Sequence, residues 1–147
     1  MKYTDWLIPE LRQLEQHREF LRSAPERINE LIAQSTRLRS SAEAKTPGGS
    51  SGENVTEISL INNLAERAQL EENLNTVQTR VCWLENGMEQ LTQEEYMVID
   101  RFFVHRTEAD CAQRLMEELH FEKSQVYRIK NRALIKLARV LCGVVEL

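Results

Sequence analysis

The feature that most constrains this chain is an interval of seven. Leu70, Val77, Leu84 and Leu91 recur at that spacing, and Leu74, Val81 and Met88 fall between them. Steps of three and four put all of them on one stripe of an α-helix, a seam made to pack against a second helix. A partner lies upstream, where Leu7, Leu14, Leu21 and Ile28 also recur at sevens and Leu11 and Ile32 fill part of the second register. The two helices are expected at about 4–43 and 55–89. Between them AKTPGGSSGEN (Ala44 to Asn54) is the one Gly/Ser-rich stretch, and its composition is that of a flexible loop at about 44–54. Two such helices joined by one loop are expected to fold back as an antiparallel coiled-coil hairpin over residues 1–90. Pro25 interrupts the first helix. Ser23 with Glu26 three residues later resembles a capping box, so a break or a kink is expected there.

From Leu91 the periodic segments shorten. Thr92 before QEE is a good N-cap, and Glu95 completes a capping box. Met97, Val98, Ile99, Phe102 and Phe103 form the apolar side of that helix. Thr107 is expected to cap the next, which turns Cys111, Ala112, Leu115, Met116 and Leu119 inward. His120-Phe121 makes a tight connection to a last helix from about Lys123 to Leu141. The chain is therefore expected to be all-α, with the hairpin followed by a three-helix domain of helix-turn-helix outline over 91–147.

Composition supports that class. Five Gly, three Pro and few aromatics in 147 residues favour long helices over a sheet. No apolar run approaches the ~20 residues that span a bilayer, and MKYTDWLIPELRQ lacks the apolar stretch of a signal peptide. No membrane contact and a cytoplasmic location are expected. Cys82, Cys111 and Cys142 are odd in number and far apart, so each reads as a small buried hydrophobe. No Walker loop, GxGxxG, HExxH or GxSxG string occurs. His105, Cys111 and His120 match no common zinc spacing. Neither enzymatic activity nor a metal or other cofactor is expected. Trp6 and Trp83 are expected to anchor packing.

Charge is placed unevenly. The net charge is -4, yet SQVYRIKNRALIKLARVL (Ser124 to Leu141) with Lys123 before it holds six cations and no acid. On a helix, Val126, Ile129, Ala133, Leu137 and Leu141 form one stripe, while Gln125, Arg128, Arg132, Lys136 and Arg139 form another. The helix dipole accounts for Lys136 and Arg139 near the C-terminus. It disfavours Lys123 and Arg128 near the start, so those two point to an anionic ligand. Recognition helices meet base edges through their N-terminal residues. Lys123, Ser124, Gln125, Tyr127 and Arg128 are the expected groove residues, since Arg and Lys pair with guanine and Gln with adenine. Lys130, Arg132 and Lys136 are expected at phosphates, which position without specifying sequence.

LTQEEYMVIDRFF followed by SQVYRIKNRALIKLARVL resembles region 4 of sigma-70 factors, the helix-turn-helix that reads promoter −35 elements. It is more similar still to the ArpU/RinA-type regulators of phages and prophages. The likeness runs through Leu119-His120-Phe121, Ser124-Gln125-x-Tyr127-Arg128-Ile129-Lys130 and Ala133-Leu134-x-Lys136-Leu137-Ala138, within residues 91–141. The resemblance implies a double-stranded DNA-binding transcription activator of late or packaging genes in a bacterial host cell, with RNA polymerase as a further partner. Two departures stand out. About four extra residues precede the basic helix, which one more turn in the first helix of the motif would absorb. Glu122-Lys123 also stands where that family often has a Ser/Thr cap. Two other readings compete: a small-terminase-like packaging component, and a polymerase-binding helical adaptor without DNA contact. Seam residues left over from the hairpin could also pair two subunits into a homodimer.

Overall fold

The computed structural model describes residues 2–44, 50–105 and 111–143, and their side chains except those of 42–44 and 50–54. It is all-α, with no strand among the described residues. The helices are α1 (Tyr3–Ala44), α2 (Ser50–Met88), α3 (Gln93–Ile99), α4 (Cys111–Leu119) and α5 (Lys123–Cys142), and a π-helical turn, Asp100–Val104, continues α3. Two compact units emerge. One joins the residues up to Arg18 with those from Thr79 on; the other is Glu19–Gln78. The division runs inside α1 and α2. No helix among the described residues is long and apolar enough to cross a membrane.

In the Glu19–Gln78 unit, α1 passes Pro25 without a break. The Ser23 hydroxyl donates back to the Phe20 carbonyl at 3.5 Å instead of capping a new helix. The side-chain amide of Asn63 donates to the Leu31 carbonyl at 2.7 Å, and Arg27 reaches Glu66 at 3.0 Å. Four residues back along α1 match three forward along α2, so the two segments run antiparallel. This pairing also corrects the expected register. Leu31 is 1% exposed, whereas Ile32, the expected seam residue, is 44% exposed. Ser35, Thr56 and Asn63 are buried beside it, so this seam is partly polar. The Gly/Ser-rich stretch is shorter as a loop than expected, because residues 50–54 already belong to α2. One Gly in a helix costs only about 1 kcal/mol, too little to stop it. Residues 45–49, the rest of that expected loop, lie outside the described residues, as does Thr107.

The other unit has an apolar interior. Leu7, Leu11 and Leu14 of α1 are fully buried, as are Val81, Leu84 and Met88 of α2 to within 5%. Trp6 and Trp83 pack ring against ring at 6.2 Å. Gly87 lets α2 lie close on α5, since a Cβ there would stand 2.5 Å from Leu141 Cδ2 and 3.1 Å from Leu137 Cδ1. The cysteines do not behave as buried hydrophobes: Cys82 and Cys142 are exposed and Cys111 is half-buried. All three sit at the margins of the apolar stripes, where helical spacing alone does not separate core from edge.

Around α3, α4 and α5, Val98, Leu115, Val126 and Ile129 form the core, with Phe102, Met116, Leu119 and Phe121 packed against it. Burying each large side chain stabilises the fold by about 1.5–3 kcal/mol. The α4–α5 corner is set locally. His120 adopts φ 58° just past the end of α4, and Phe121 N–H donates back to the Met116 carbonyl at 3.2 Å. This is a Schellman ending, in which a left-handed residue satisfies a last-turn carbonyl and an apolar contact closes the corner. Phe121 and Met116 both pack against the same core.

Candidate nucleic-acid interface

The sequence of α5 separates two faces, and packing keeps them apart. Val126, Ile129, Ala133, Leu134, Leu137 and Ala138 are buried. Gln125, Arg128, Arg132 and Arg139 are exposed on the other side, with Lys136 half-buried. The helix begins after Glu122, whose extended backbone (φ -75°, ψ 158°) makes it the N-cap, but its carboxylate accepts no hydrogen bond from the helix.

The first two turns present a free surface. Lys123, Ser124 and Gln125 are exposed, and Arg128 is exposed with no ion pair among the described residues. Tyr127 is held from behind: Phe102, on the π-helical turn, meets its ring edge to face at 5.7 Å. The Lys130 ammonium lies 4.9 Å from the Tyr127 ring centre and 5.3 Å from that of Phe102. A cation on an aromatic face is worth ~0.5–1 kcal/mol at such an exposed site. Tyr127 itself remains 37% exposed. The phenol is fixed, half-open, and flanked by positive charge.

The rear turns differ. Glu95 of α3 is 2% exposed; it accepts two hydrogen bonds and has a more distant cation beside it. Its carboxylate takes the Thr92 backbone N–H at 3.0 Å and the Lys136 ammonium at 3.0 Å, with the Arg132 guanidinium farther off at 3.7 Å. The Thr92 hydroxyl in turn accepts the Glu95 N–H at 3.2 Å, so the expected capping box is complete. Burial alone would raise the carboxyl's pKa, but the Thr92 N–H, the Lys136 ammonium and the Thr92 side chain outweigh it. Glu95 therefore titrates below its ordinary value of 4.5. Lys136 and Arg132, expected at phosphates, are thus directed at an acid of their own fold. Arg132 keeps a 62% exposed side chain and holds its partner loosely.

Arg139, placed on the cationic stripe by its spacing and ascribed there to the helix dipole, joins Arg128, Arg132 and Lys136 around an open depression lined by Ile135 and Val140. One role was missed from sequence. Phe102 was assigned only to the core, yet it also supports Tyr127. An aromatic at the end of α3 was the available signal, but its reach depends on the π-helical turn, which local sequence does not announce. Arg101, on the same turn, is paired with Glu118 of α4 at 3.1 Å and is not part of the open face.

No family model matches this chain, and neither a curated protein nor a solved structure matches it.

Proposed function

We propose that this protein is a sequence-specific binder of double-stranded DNA that regulates transcription, with α5 entering the major groove by its first two turns. The observation that carries the reading is the exposed Arg128, without an ion pair among the described residues, beside Lys123, Ser124, Gln125 and a buttressed Tyr127. Cations at a helix start oppose the helix dipole, so an external anion explains them better than the fold does. Arg128 and Lys123 suit guanine, Gln125 suits adenine, and Ser124 suits several acceptors. Lys130 and Arg132, the latter held only loosely by Glu95, flank this front and are the residues this reading assigns to phosphates. Lys136 serves the fold through Glu95.

The resemblance to region 4 of sigma-70 factors and to ArpU/RinA-type regulators supports an activator of phage or prophage late or packaging genes, working in the bacterial cytoplasm and touching RNA polymerase. The test is competition binding with selected and scrambled duplexes. Arg128→Ala should cost about 1–3 kcal/mol on the selected duplex and relax base preference at one position. Equal retention of selected and scrambled DNA by wild type and variant would rule the reading out.

A further inference from the structure

The Glu19–Gln78 unit carries its apolar residues on the wrong side for a self-contained pair of helices. Thr56 and Asn63 of α2 are buried, yet Val55, Ile58, Ile61 and Leu64 are 58–65% exposed. A helix that is apolar on several faces normally has more than one neighbour. Ile58, Ile61, Ala65 and Ala68 are all exposed and step by three, four and three, which makes a second seam of about two heptads opposite the one that faces α1.

We propose that this second seam is a homodimer interface, in which α2 of one chain packs antiparallel on α2 of a second copy. Its order, two large residues followed by two small ones, is what selects the occupant. An antiparallel pair of identical helices sets position against position about a two-fold axis. In the register that places Ile61 opposite Ala65 of the second copy, Ile58 falls opposite Ala68, so every large side chain meets a small one. A parallel pair would instead stack isoleucine on isoleucine and leave a gap at the alanines. On the flanks of that register Leu64 meets its own counterpart, while Glu57 and Glu71 of the second copy share one flank and repel, which keeps the pair weak. The seam is short, spanning ~15 Å at 1.5 Å per residue, and falls below the ~800 Å² per partner of a standard interface. The dimer is therefore weak and exchanges with monomer as concentration changes. This inference does not rest on DNA binding.

The test is sedimentation equilibrium of the full chain under reducing conditions, so that exposed Cys82 and Cys142 cannot link chains. The concentration runs from about 1 μM to about 1 mM, the span of weak affinities. Wild type should rise from one to two chain masses. Ile61→Glu, an exposed site where a charge leaves the monomer intact, should raise the dissociation constant at least tenfold with helicity unchanged by circular dichroism. Ile58→Ala and Ala68→Ile should each weaken the dimer several-fold, while the double variant, which exchanges large for small across the axis, should recover it. A wild type that stays monomeric throughout, a mass well beyond two chains, a dimer indifferent to Ile61→Glu, or a double variant no better than the singles would each overturn the proposal.

Discussion

The front and rear of α5 carry similar cations and use them differently. At the front, Lys123 and Arg128 are exposed and make no ion pair among the described residues. At the rear, Lys136 and Arg132 converge on Glu95, which is nearly inaccessible. The rear acid is anchored in turn by the Thr92 box, so it ties the start of α3 to the middle of α5. A row of positive charge at helical spacing is therefore two devices joined end to end: one that holds the helix in place and one that the helix offers outward. Counting cations does not separate them. Asking which of them already have partners does.

The sharpest way to break this contrast is at the rear. Glu95→Ala removes a buried acceptor from Thr92 and Lys136 together, and should destabilise the fold by about 2–4 kcal/mol in denaturant or thermal unfolding. Arg128→Ala should change stability by less than about 0.5 kcal/mol, as expected of an exposed side chain without an ion pair among the described residues. The rear also predicts a pH dependence. Glu95 titrates lower in the folded chain than in the unfolded one, so its contribution is fully present above the ordinary carboxylate range. It is lost as pH falls through the depressed folded value. Unfolding midpoints measured downward from neutrality should fall less steeply in Glu95→Gln than in wild type, and parallel curves would contradict the assignment. A loss smaller than that at Glu95 is expected where the two halves meet. Lys130→Ala should cost about 0.5–1 kcal/mol of stability through loss of its seat on Phe102 and Tyr127, and Lys130→Arg should restore most of it, since a guanidinium also lies well on aromatic faces.

Much of this architecture is legible in the residues themselves. Leu7, Leu11, Leu14, Val81, Leu84 and Met88 are buried where the sevens place them, because a repeated stripe leaves a helix only one face to hide. The Thr92–Glu95 box is equally local, requiring only a short side chain and an acid three residues apart. What escaped depends on distance in sequence. Glu95 and Lys136 lie 41 residues apart, and nothing near either one says they meet. Ile32 and Leu31 are both plausible seam residues by spacing, and a contact across the pair, Asn63 to Leu31, decides between them. The π-helical turn that brings Phe102 toward Tyr127 has no compositional sign.

The central claim, that the front of α5 is built for a nucleic-acid duplex, is tested most directly by the salt dependence of binding. Affinity for a double-stranded fragment should fall linearly with salt on logarithmic axes, since phosphate contacts release bound counterions. Lys130→Ala should reduce that slope by about 0.9, as the loss of one phosphate contact, while Lys136→Ala, once its loss of stability is allowed for, should leave it nearly unchanged. A flat salt response in wild type, or a slope that drops for Lys136→Ala and not for Lys130→Ala, would contradict the account.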